Sequence, residues 1–148
     1  MNVKTILAAK ASGALGGDVI CIEPTATLAA AAQLLSKRRI GAVVIAGAGG
    51  RLAGILSERD IMRSLAEHGA AALDLTVGQV MTREVETCSE DDTVAEIMER
   101  MTSRKFRHLP VVSGGKLIGL VSIGDVVKQR VEEVERESEA LRDYIRTA

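Results

Sequence analysis

Apolar residues recur along this chain in two rhythms, and each rhythm appears twice. Leu28, Ala31, Ala32 and Leu35 keep the three-and-four spacing of one helix face, and Val94, Ile97, Met98 and Met101 keep it again. Short apolar runs follow each helix in pairs, Ala42 to Ala46 with Leu52 to Leu56, then Leu109 to Val112 with Leu117 to Val121. A glycine-bearing turn divides each pair, which predicts two β-hairpins. With a leading strand at Ile20-Cys21-Ile22 and at Val85-Glu86-Thr87, each copy reads strand, helix, strand, strand, helix. Thr27 is expected to cap the first of these helices, and Thr93-Val-Ala-Glu96 forms a capping box at its counterpart.

The doubling extends to individual residues. Gly54-Ile-Leu-Ser57-Glu-Arg-Asp60 returns as Gly119-Leu-Val-Ser122-Ile-Gly-Asp125. Thr27 faces Thr93 at an offset of 66 and Asp60 faces Asp125 at 65, so one residue is missing from the second copy. The gap falls in the hairpin turn, where Ala46-Gly-Ala-Gly-Gly50 stands against Val112-Ser-Gly-Gly115. These glycines read as turn residues and not as a phosphate cradle, because no Gly-Lys-Ser/Thr follows. The expected organisation is an N-terminal helix and lead-in over 1–18, a first repeat over 19–67, a linker over 68–84, a second repeat over 85–132 and an amphipathic helical extension over 133–148.

Composition narrows the class. A chain of 148 residues, 47% hydrophobic and 26% charged, is ordinary globular material of about one domain's length, so the two copies should pack as one unit. Without a long apolar span or a leader-like start, the expected location is cytoplasmic, with no membrane partner. A formal net charge of −1 gives no general attraction to nucleic acid. Cys21 and Cys88 are not equivalent in the repeat and lack metal-ligand spacing, so they read as two thiols without a shared role.

Two readings attach to Ser57 and Ser122. Ser-x-x-Asp is an N-capping box in its own right, with Asp60 or Asp125 near the positive end of a helix dipole. It also places a hydroxyl, a carboxylate and free backbone N–H groups where a ligand can dock, beside a glycine that permits close approach.

The strand, helix, hairpin, helix order, with Gly-h-h-Ser-x-x-Asp closing each copy and Arg107-His108-Leu109-Pro110-Val111-Val112 as a strand, resembles a tandem pair of cystathionine-β-synthase (CBS) domains of the small stand-alone bacterial type. The resemblance covers about Val19 to Val131. It implies an α+β fold of two β-α-β-β-α repeats packed about a pseudo-twofold axis, with flanking N- and C-terminal helices. It also implies a non-catalytic regulatory module that binds an adenine nucleotide between the repeats, AMP first, with ADP, ATP or NAD(H) as alternatives.

By that resemblance Asp60 and Asp125 would accept hydrogen bonds from ribose hydroxyls, and Ser57 and Ser122 would bond ribose or phosphate. One site would join Ser122 and Asp125 with Ile20, Cys21, Ile22, Gly41, Ala42 and Val43. The other would join Ser57 and Asp60 with Val85, Thr87, Arg107, His108 and Leu109, with Arg107 and His108 reaching the phosphate, while Arg59, inside the first motif where the second has Gly124, would compensate for the basic pair that the first copy lacks. Gly41-Ala42 in place of Arg107-His108 makes the two sites unlike. No catalytic residue or metal ligand is expected.

The flanks suggest assembly. Val127, Val131, Val134, Ser138, Leu141 and Ile145 are spaced 4, 3, 4, 3, 4, the rhythm of a helix seam. Its partner is the body of its own chain, an N-terminal helix bearing Val3, Ile6 and Leu7, or a second copy in a homodimer. The regulated protein is not named by any residue. Two other function classes stand against the nucleotide reading. A structural dimerisation module with vestigial sites is one, and a nucleic-acid binder, opposed by charge and by an aromatic content of 1%, is the other.

Overall fold

The computed structural model describes residues 1–11 and 19–147, so residues 12–18 of the expected lead-in lie outside the described residues. The chain divides into two compact units: Met1–Asp18, Cys88–Val111 and Gly119–Ala148 in one, Val19–Thr87 and Val112–Ile118 in the other. The elements follow in the order α1 (Val3–Ala11), α2 (Leu28–Arg38), β1 (Ala42–Ala46), β2 (Leu52–Ser57), α3 (Glu58–His68), α4 (Val77–Val80), α5 (Val94–Arg104), β3 (His108–Ser113), β4 (Lys116–Ser122) and α6 (Ile123–Thr147).

Both helices with the doubled rhythm form as expected. Thr27 accepts the Ala30 N–H at the start of α2, and Thr93 and Glu96 complete a reciprocal box at the start of α5. Leu28, Ala31 and Leu35 are buried on one face of α2, and Val94, Ile97 and Met101 on the matching face of α5. Each helix ends on a basic residue in left-handed conformation, Arg39 at φ 54° and Lys105 at φ 59°, where a cation meets the negative end of the dipole. Strands β1 and β2 pair antiparallel, with Ala42 opposite Ser57, and β3 pairs with β4. Their turns use Gly49, Gly50, Gly114 and Gly115 at positive φ, as the turn reading requires.

The opening strands are a correction. Ile20-Cys21-Ile22 contributes a single parallel bridge, Cys21 to Val44, and in the second copy the bridge comes from Cys88 to Val111, with Val85 to Thr87 outside any strand. Proline limits both ladders: Pro24 follows the first bridge closely, and Pro110, which accepts the Cys88 N–H at 2.9 Å, has no N–H to return.

A second repetition lies outside the expected boundaries. The Val3 N–H donates to Asp92 O and the Val94 N–H to Met1 O; correspondingly, the Val77 N–H donates to Ala26 O and the Leu28 N–H to Leu75 O. Asn2 bridges Thr93 as Thr76 bridges Thr27. Helix α1 therefore does for the second repeat what α4 does for the first, so each short helix serves the repeat it does not directly lead in sequence into. Val3 and Ile6 enter the core with Val94, Ile97, Met101, Leu109, Val111, Val121 and Val126. Val77 and Met81 enter the other core with Leu28, Ala31, Leu35, Val43, Ile45, Leu56, Ile61 and Ala72. The segment over 68–84 is thus core-forming and helical, not a spacer.

Helix α6 runs without interruption for 25 residues, so the second repeat's last helix and the C-terminal extension are one element. Only Val126 and Gln129 of it are buried, and Val127, Val131, Val134, Leu141 and Ile145 are exposed. The seam therefore does not pack on α1 within the described chain. No described helix is long and apolar enough to cross a membrane.

Candidate functional site

The doubled motif builds the same local device at two helix starts. At the first, the Ser57 N–H donates to Asp60 Oδ2 at 2.9 Å and the Asp60 N–H donates to Ser57 Oγ at 3.3 Å. At the second, the Ser122 N–H donates to Asp125 Oδ2 at 2.9 Å and the Asp125 N–H to Ser122 Oγ at 3.2 Å. Both are reciprocal capping boxes. The residue before each preceding strand closes the first turn: the Glu58 N–H donates to Gly41 O at 2.9 Å, and the Ile123 N–H to Arg107 O at 2.8 Å. Gly41 and Arg107 are thereby equivalent in space as well as in alignment, each beside the box of its own repeat.

The carboxylates differ in what else they hold. Asp60 has a side chain only 6% exposed, and the Ser57 hydroxyl donates to its Oδ2 at 3.1 Å while Arg63 at 3.3 Å and Thr82 at 3.4 Å donate to Oδ1. Every lone-pair direction of that group is close to satisfied. Asp125, 26% exposed, receives the Lys10 ammonium on Oδ2 at 2.9 Å, and Lys10 also donates to Leu120 O at 2.7 Å. Among the described residues nothing donates to Asp125 Oδ1. Burial pushes the Asp125 carboxyl up, but the Ser122 N–H and the Lys10 ammonium more than offset it and hold the group below its ordinary value. It is an ionised, half-open acceptor at neutral pH.

The glycine of each motif has a different meaning from the one expected. A Cβ on Gly54 would lie 2.7 Å from Met81 Sδ and 2.8 Å from Thr82 O, and one on Gly119 would lie 2.5 Å from Leu7 Cδ2. The close approach those glycines permit is that of the chain itself, through the two exchanged helices.

Other expected site residues divide by burial. Val43 and Leu109 are fully buried and Ala42 nearly so, hence their side chains serve the cores and only their backbone groups remain for recognition. Arg59, Arg107, Cys21 and Thr87 are exposed, whereas Ile20, Ile22, Gly41, Val85, His108, Ser57 and Ser122 are half-buried. Ser57, Arg59, Asp60, Ile20, Cys21, Ile22, Gly41, Ala42, Val43, Val85 and Thr87 belong to one unit, and Arg107, His108, Leu109, Ser122 and Asp125 to the other. Sequence reasoning missed Lys10, Arg63 and Thr82. Arg63 was detectable from its i+3 spacing to Asp60; Lys10 and Thr82 carry no local signal, because Lys10 arrives from α1 and Thr82 from the stretch after α4, both distant in sequence. Among the described residues no cluster of His, Cys, Asp or Glu has the makings of a metal site.

Comparison with known proteins places these features. The family model for the CBS domain matches residues 16–67 and 77–132, the second match beginning within α4. The chain is 32% identical over 148 residues to "CBS domain-containing protein CBSX3, mitochondrial" of Arabidopsis thaliana, covering 97% of this chain and 71% of that one. Among solved structures, the CBS-domain containing protein ATU1752 from Agrobacterium tumefaciens is 42% identical with a TM-score of 0.80, over 88% of this chain and 99% of that one. The CBS domain pair of protein MJ0100, in complex with 5-methylthioadenosine and S-adenosyl-L-methionine, is 27% identical with a TM-score of 0.75, over 90% of this chain and 98% of that one. With both halves matched and the two capped motifs in register, this chain belongs to the CBS domain family, as a tandem CBS pair.

Proposed function

We propose that the chain is a regulatory module that binds an adenosine-containing ligand and passes its occupancy to another protein. The observation that carries the reading is the Ser122–Asp125 box: an ionised carboxylate whose Oδ1 has no donor among the described residues, beside a helix N-terminus and a lysine ammonium. Such a carboxylate suits the vicinal hydroxyls of a ribose, with charge-assisted bonds stronger than neutral ones. A similar pair holds two adenosyl compounds, which supports the ligand class. AMP is the first candidate, then ADP, ATP and NAD(H).

In this reading the Ser122–Asp125 and Ser57–Asp60 boxes are the ribose-holding groups of two unlike positions. The two positions are unequal. Asp60 is saturated by Ser57, Arg63 and Thr82 and serves first as a cap, so the Asp125 position binds more tightly. The family is generally regulatory and not catalytic, and the module works as a cytoplasmic homodimer. The ligand signals by binding two conformations of the pair unequally.

A thermal-shift panel of adenosine, AMP, ADP, ATP, NAD(H) and S-adenosylmethionine tests it. A ligand at a hundredfold excess over its Kd stabilises by about 2.7 kcal/mol. Asp125→Asn should abolish most of that shift. No shift with any of these, in folded protein stripped of copurified ligand, leaves a purely structural pair.

A further inference from the structure

From its second turn onward α6 presents a hydrophobic seam that the rest of the described chain leaves open. Val127, Val134 and Leu141 fall at d positions, and Val131, Ser138 and Ile145 at a positions. The five apolar members are 42 to 65% exposed, although they lie on a continuous helix. Val131 and Ile145 at a with Leu141 at d suit two parallel strands, whereas Val127 and Val134 at the other d positions do not favour that number, so the choice of partner and orientation rests on the flanking charges.

The charges beside the seam select the partner. Arg130 and Glu137 stand at g, and Lys128, Glu135 and Arg142 at e. In a parallel in-register pair each g residue meets the e residue five positions later on the other helix. That sets Arg130 against Glu135 of the second copy and Glu137 against Arg142 of the second copy, and symmetry makes each contact twice. An antiparallel pair that overlaps the whole seam instead sets Glu135 against Glu135, Glu137 against Glu137 and Lys128 against Arg142. Shifting it by a heptad removes the repulsion but strands two of the five apolar seam residues on each helix, Val127 with Val131 or Leu141 with Ile145. Glu137 and Arg142 make no ion pair among the described residues, whereas Arg130 already holds Glu133 at 2.9 Å and would share its guanidinium between Glu133 and the partner's Glu135, so the Glu137–Arg142 contacts select most strongly.

We propose that residues 127–145 of α6 form a parallel, in-register, two-stranded coiled coil with the same segment of a second copy. This deepens the homodimer reading above and depends on it. The seam of about three heptads is too short to associate alone, but the folded body holds its first turns in helical form.

Disulfide mapping tests the orientation. In a Cys21→Ser background, Ile145→Cys places one thiol per copy at an a position, where a parallel in-register pair brings the two Cα atoms within disulfide reach. The full-seam antiparallel pair separates them by about 27 Å, from 18 intervening residues at 1.5 Å each. Mild oxidation of the full chain should give covalent dimers with Ile145→Cys and none with Arg136→Cys on the outer face. Independently, E137R should weaken the dimer about tenfold in sedimentation equilibrium, and E137R with R142E should restore it. A dimer that does not cross-link through position 145, or that ignores both charge changes, overturns the coiled coil while leaving the homodimer. A monomer throughout overturns both, whereas the nucleotide shifts stand or fall separately.

Discussion

Replacing Gly54 and Gly119 by alanine, one at a time, separates two positions that the repeat makes look identical. At Gly54 the new methyl would stand 2.8 Å from Thr82 O, a backbone atom held in place because Thr82 and Ile55 exchange hydrogen bonds of 3.0 and 2.9 Å. Relief requires moving that segment away from β2. Overpacking costs about 1–3 kcal/mol, and weakening the two bonds adds about 1 kcal/mol each. Removing a glycine from a strand returns roughly 0.5–1 kcal/mol. Gly54→Ala should therefore lose about 2–4 kcal/mol, a fall in Tm of about 5–12 °C for a chain this size. At Gly119 the clash is with Leu7 Cδ2 and Cδ1, the movable end of a side chain, so Gly119→Ala should lose about 1 kcal/mol or less. Urea titration followed by far-ultraviolet circular dichroism measures both. If Gly54→Ala is as stable as Gly119→Ala, α4 and the Thr82 bridge do not hold β2 as described.

Two further predictions concern titrating groups. Asp125 is held below its ordinary value when folded and returns to about 3.9 when unfolded, so its contribution is complete above about pH 4 and is lost as pH falls through the folded value. Asp125→Asn should flatten the acid limb of stability between about pH 5 and 3 relative to the parent, and Lys10→Met should flatten it partly; parallel limbs would show that the Lys10 pair contributes nothing. The Cys88 thiol is pushed up to about 12, first by burial and then by Asp92, with Arg100 opposing, whereas Cys21 is exposed and raised only by partial burial. A thiol reagent at pH 8 should modify one cysteine in native protein and the second only in denaturant. Rapid modification of both would mean that the Cys88 core opens readily.

The candidate site was half legible. Ser57, Asp60, Ser122 and Asp125 declare themselves because a capping box is local chemistry: four consecutive residues carry both donors and both acceptors. Whether each carboxylate retains a free oxygen is not local. Thr82 and Lys10 decide it, one by completing Asp60 and the other by charging Asp125 while Oδ1 stays unpaired among the described residues, and both come from segments distant in sequence, Lys10 from α1 and Thr82 from the stretch after α4. The α6 seam shows the same division: its heptad rhythm is visible in the residues, but its exposure is known only once α1 is seen packed beside Val126 and not over the seam.

By itself the sequence determined the duplication, the capped helices, the hairpins with their glycine turns and the family. Each of these rests on interactions within a few positions along the chain, where spacing and residue type suffice. Tertiary structure alone decided that Leu7 and Met81 are what the motif glycines admit, that the segment over 68–84 is core, and that the opening strands shrink to single bridges. Those outcomes depend on which distant backbone arrives at each surface, and an N–H absent at Pro110 or a side chain arriving at Asp125 takes effect only when folding brings its partner near.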